Sequence, residues 1–85
     1  MSNIDFGYLW ASIGNANKVR DLLNKHVQAS GVEIMPPELG FDPPYQPVEF
    51  CYNRSIPFNL DRSVFGPYTI DNARIHSGTR KVKRS

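Results

Sequence analysis

The sequence is short of the residues that staple small proteins. Cys51 is the only cysteine, which excludes an internal disulfide. His26 and His76 are the only histidines. Neither stands at ligand spacing from Cys51, so the usual four-ligand zinc patterns are absent. No apolar run approaches the roughly 20 residues that a bilayer-spanning helix requires. The opening Met1-Ser2-Asn3-Ile4-Asp5 lacks the basic and then apolar order of a secretory leader. The expectation is a soluble protein of a reducing compartment or of a virion, for which the sequon Asn53-Arg54-Ser55 is coincidental. Gly14, Gly31, Gly40, Gly66 and Gly78 form no phosphate-cradling cluster, and Glu33, Glu38, Asp42 and Glu49 are scattered. No metal, nucleotide, other cofactor or small-molecule substrate is expected.

At 85 residues the chain is one small domain at most. Such a chain buries only about 60% of its unfolded surface. Without disulfide or metal, association with other chains is the remaining reinforcement.

Charge is unevenly placed. Over residues 1–71, Lys18, Arg20, Lys25, Arg54 and Arg62 face eight carboxylates: Asp5, Asp21, Glu33, Glu38, Asp42, Glu49, Asp61 and Asp71. Residues 72–85 carry Arg74, Arg80, Lys81, Lys83 and Arg84 with no acid. The formal +2 is therefore an acidic body with a basic tail, a pattern typical of an interaction tail.

Apolar residues recur at spacings of three and four through Ile4, Phe6, Leu9, Trp10 and Ile13, and again through Ala16, Val19, Leu22, Leu23 and Val27. This spacing predicts helix over about 4–30, capped by Ser2 or Asn3 and stopped at Gly31. Gly14-Asn15 is a turn signal, so one long helix and a helix–turn–helix are both compatible with it. The stretch Leu9–Leu23, with the small Ala11, the Gly14-Asn15 turn and Val19 with Leu22-Leu23, resembles the helix–turn–helix half of an ankyrin repeat. No second copy follows at the expected period of about 33 residues, so the likeness implies local geometry only.

From Val32 the character changes. Pro36, Pro37, Pro43, Pro44 and Pro47 disfavour helix and predict extended chain. Val48–Asn53 alternates as one short strand, and Val64–Ile70 reads as a turn between two extended pieces. The aromatic residues Phe41, Tyr45, Phe50, Tyr52, Phe58, Phe65 and Tyr68 are spaced along this region as anchors on a stiff arm. The fold class expected is thus mostly irregular, a small α+β unit at most. A helical element spans 1–31, an extended Pro/aromatic arm with short strands spans 32–71, and a basic tail spans 72–85.

Cys51, His76 and Asp71 have the residue types of a nucleophile, base and orienter, but no local motif joins them, and no catalysis is expected. Cys51 reads instead as a small hydrophobe on a strand. The functional expectation is a structural or accessory subunit of a larger assembly, with virion decoration, cement or connector proteins among the members of that class. Its docking residues would be Phe6, Trp10 and Ile13 on the helix and the seven arm aromatics. The alternative is a nucleic-acid-binding regulator acting through Arg80, Lys81, Lys83 and Arg84, which could neutralise phosphates or lie on an acidic protein surface. Other protein subunits are the expected partners, with nucleic acid secondary and no membrane.

Overall fold

The first element is a strand. In the computed structural model, which describes residues 3–53, 55, 60–71 and 73–77, β1 runs over Ile4–Ser12. Helix α1 follows at Ala16–His26, then β2 at Ser30–Ile34 and β3 at Tyr45–Asn53. A short helix α2 at Arg62–Phe65 continues as a 3-10 turn at Gly66–Tyr68, and β4 is the pair His76–Ser77. The four strands form one antiparallel sheet in the order β2-β3-β1-β4.

This architecture overturns the mostly irregular chain with an N-terminal helix or helix–turn–helix. The physical reason lies in residues 4–12. Ile4, Phe6, Tyr8 and Trp10 alternate with Asp5, Gly7, Leu9 and Ala11, which is a period of two. Because residues 8–11 are apolar on both parities, helical spacing also fits, and a continuous apolar run cannot separate the two periods. Aromatic and β-branched side chains and the mid-run Gly7 favour the strand. The ankyrin-like geometry fails for the same reason, since Leu9–Ser12 lies inside β1. Gly14, at φ +91°, turns the chain out of the strand, and α1 begins two residues later. The second half of the predicted helical segment is a helix.

The helix ends earlier than Gly31 suggests. Val27 is its C-cap and Gln28 takes the left-handed conformation at φ +54°. Gly31, at φ +59°, instead stands in β2, where the β2–β3 register shifts between Ser30 and Glu33.

The proline region is not an arm. It is the β2–β3 hairpin, closed by mutual backbone hydrogen bonds between Glu38 and Tyr45 and containing a cis Asp42–Pro43 bond. Pro47 lies within β3, an internal strand, where a missing donor is ordinarily excluded. The Met35 amide donates to the Pro47 carbonyl at 2.9 Å, and the reciprocal bond is impossible. The Gln46 side-chain amide supplies it, donating to the Met35 carbonyl at 3.0 Å. The Val64–Ile70 stretch, read as a turn between extended pieces, holds the end of α2 and the 3-10 turn. Asp61 caps α2 by accepting from the Ser63 amide at 2.9 Å and the Ser63 hydroxyl at 2.6 Å.

One face of the sheet meets α1. Leu9, Ala11, Val48 and Phe50 pack against Ala16, Val19, Leu23 and Val27, with Phe65 and Ala73 closing the cluster. Burying each of the Val, Leu and Phe side chains here contributes about 1.5–3 kcal/mol relative to exposure. Phe50 and Phe65, expected to anchor on a partner, are spent in this core. Among the described residues, no helix is long and apolar enough to cross a membrane.

Candidate interaction surface

Strand alternation sends Ile4, Phe6, Tyr8 and Trp10 to the face opposite α1. Register fixes their neighbours on β3: Asn53 opposite Ile4, Cys51 opposite Phe6, Glu49 opposite Tyr8 and Pro47 opposite Trp10. Glu33 of β2 is opposite Glu49, and His76 of β4 is opposite Tyr8. One row therefore crosses all four strands as Glu33, Glu49, Tyr8 and His76.

At the centre of this face the rings are stacked. His76 lies 4.1 Å from Trp10 and 5.3 Å from Tyr8 between ring centroids, and Trp10 lies 4.5 Å from Tyr45. Phe41 approaches Tyr45 at 5.3 Å. Tyr8 and Tyr45 are buried and Trp10 is half-buried, and its enclosed indole N–H has no hydrogen-bond partner among the described residues. His76 Nε2 stands 2.7 Å from Asp71 Oδ2. Asp71 is shared with Arg74 at 3.5 Å.

Toward one end the face becomes openly apolar. Ile4 is 52% exposed and Phe6 57% exposed, with Cys51 between β1 and the β2 edge. At the other end Ile13, just past β1, and Leu39, in the hairpin, are also exposed, Leu39 at 67%. Large exposed apolar side chains scattered singly carry no message, whereas adjoining ones on a flat sheet mark contact surfaces.

The expected anchors divide accordingly. Phe6, Trp10, Phe41 and Tyr45 belong to this face or its hairpin rim, and Ile13 to its end. Tyr52 packs on the α1 side near Phe50, and Tyr68 lies beneath Lys18, whose Nζ is 5.7 Å from the ring. Phe58 and the basic residues Arg80, Lys81, Lys83 and Arg84 lie outside the described residues. Sequence reasoning missed Ile4, Glu33, Glu49 and His76: Ile4 and Glu49 become legible once β1 and β3 are written as alternating strands, whereas Glu33 and His76 join the row only through the pairing of β2 and β4. His76 and Asp71 do meet, but Cys51 is on β3 with β1 standing between it and β4, so the three make no nucleophilic triad. Among the described residues no group of three His, Cys, Asp or Glu side chains is placed to hold a metal ion. No family model, curated protein or solved structure matches the chain.

Proposed function

We propose that the chain is a non-catalytic subunit of a larger protein assembly that docks through the open face of its sheet. The observation that carries this is the contiguity of exposed Ile4 and Phe6 with the buried ring stack beside them, on the sheet face opposite α1. Phe6 and its neighbours are held by a rigid antiparallel sheet, so little ordering entropy opposes association. The docking element is thus a sheet face with a hairpin rim, and the apolar helix face is consumed internally. Small virion proteins and cellular accessory subunits both belong to this class.

The test is recovery of the native assembly with tagged wild type and with an Ile4→Asp/Phe6→Asp variant. Both side chains are exposed, so the variant should melt like wild type while losing its co-purifying subunits. Unchanged recovery with the variant would overturn the reading. The nucleic-acid alternative predicts instead that deleting residues 79–85 abolishes salt-sensitive retention on DNA or RNA.

A further inference from the structure

β4 is a strand of two residues, and its register with β1 amounts to Gly7 opposite Ser77 and Tyr8 opposite His76. So short a pairing is marginal by itself, and side-chain contacts decide how firmly it holds. They converge on one imidazole. The His76 side chain is 16% exposed, its Nε2 is 2.7 Å from Asp71 Oδ2, and its ring stacks on Trp10 and Tyr8. Histidine changes charge near neutral pH, so these contacts differ between its two forms. The Asp71 carboxylate favours the imidazolium, and so do the faces of the two neighbouring rings. Burial opposes it, and so does Arg74, which shares Asp71. The Arg74 side chain is 70% exposed and 3.5 Å from Asp71, so solvent screens it, whereas the His76–Asp71 contact is closer and more enclosed. Among the described residues, the other titratable groups on this row are Tyr8 on β1, then Glu49 on β3 and Glu33 on β2. Tyr8 is neutral below about pH 10. Glu49 is two strand spacings away, about 10 Å, where its pull is weak but of the same sign as that of Asp71. The carboxylate in contact therefore decides the balance.

We propose that His76 and Asp71 form a pH-sensitive latch that fastens β4 to the sheet and is closed by protonation of His76. A folded-state value for His76 above the unfolded one, about 6.5, means that the latch contributes in full below that pH. Its contribution is lost as pH rises through the folded value. The strand is thus held most firmly in mild acid and loosens on the alkaline side of neutrality. Loosening withdraws the imidazole from Trp10 and Tyr8, so their faces join the apolar surface that Phe6 already exposes on the same side of β1. The latch stands apart from the docking reading, since Ile4 and Phe6 lie beyond the β1 residues that β4 pairs with.

The experiment follows both imidazoles of the full chain by NMR from about pH 5 to about pH 9, the range in which histidine titrates. The emission of Trp10, the one tryptophan, is recorded alongside. The His76 midpoint should lie at least about half a unit above 6.5, the ordinary value. Trp10 emission should change with the same midpoint, because an imidazolium in contact with an indole quenches it. His26→Gln should leave that transition in place, and His76→Gln should abolish it. Asp71→Asn should lower the His76 midpoint by about one unit or more, the usual effect of an opposite charge in contact. Amide protection at residues 76 and 77, corrected for intrinsic exchange, should fall at least about threefold from the acid to the alkaline end, the equivalent of that half unit. A wild-type His76 midpoint at or below 6.5 would overturn the proposal without recourse to any variant. So would protection of residues 76 and 77 that is indifferent to pH, or a Trp10 transition that survives His76→Gln. Loss of co-purifying subunits from the Ile4→Asp/Phe6→Asp variant tests the docking reading separately, and the latch is expected to titrate unchanged in that variant.

Discussion

Gln46 repairs the defect that Pro47 creates. Its side-chain amide donates at 3.0 Å to the Met35 carbonyl, the acceptor that a backbone amide at position 47 would otherwise have served. An internal strand thereby keeps a proline without leaving its ladder open. Gln46→Ala should cost about 1 kcal/mol, the net worth of one such bond. In a Pro47→Val background the new backbone amide can serve Met35, so the same substitution should cost less. Denaturant midpoints of the four chains in that double-mutant cycle measure the coupling.

Gly7 is small for a reason that is visible on the α1 face. A Cβ at that position meets Tyr52 Cε1 at 3.0 Å, Ile75 Cγ2 at 3.1 Å and Phe50 Cζ at 3.2 Å. Phe50 is fully buried and has nowhere to retreat. Gly7→Ala should therefore destabilise by about 1–3 kcal/mol through overpacking, although alanine is otherwise tolerated in a strand. A lower denaturant midpoint at unchanged slope is the expected signature.

Gln28 carries left-handed backbone strain at an exposed helix end. Gln28→Gly should relieve it and raise stability by about 0.5–1 kcal/mol, against the usual cost of introducing glycine. Thermal unfolding of the variant checks the sign.

The Asp61 cap gives the molecule an acid-sensitive joint. Hydrogen bonds from the Ser63 hydroxyl and then the Ser63 amide hold its carboxyl below the ordinary Asp value, with His26 adding a smaller electrostatic contribution in the same direction. A depressed folded-state value means the cap's contribution is complete above the unfolded value, about pH 4, and is lost as pH falls through the folded one. The stability difference between wild type and Asp61→Ala should be present at pH 7 and vanish in stronger acid. A constant difference across that range would contradict the assignment.

The legible and illegible parts of the fold differ in one physical respect. Ala16–His26 reads correctly as helix because its polar residues interrupt the apolar ones and leave a single period. Val48–Asn53 reads correctly as strand for the same reason, though β3 begins three residues earlier, across Pro47. Ile4–Ser12 and the proline hairpin are settled by tertiary partners. Nothing local announces that Gln46 will cover for Pro47, or that β1 will find β3. The surface followed the fold: Phe6 and Trp10 were visible as aromatic residues, but Glu33, Glu49 and His76 join them only through strand register.

The order of strands has a consequence for how the molecule comes into being. Every residue of β1 pairs with a β3 residue more than thirty positions later, from Ser12 with Tyr45 to Ile4 with Asn53. Closing so large a loop costs chain entropy before any contact rewards it. The β2–β3 hairpin, whose strands are close in sequence, is the natural nucleus, and β1 with α1 is recruited to it. During synthesis β1, with Phe6, Tyr8 and Trp10, therefore emerges ahead of β3 and waits, without its mate, until β3 has been made. A fragment ending after α1 should not fold, however helical its sequence looks.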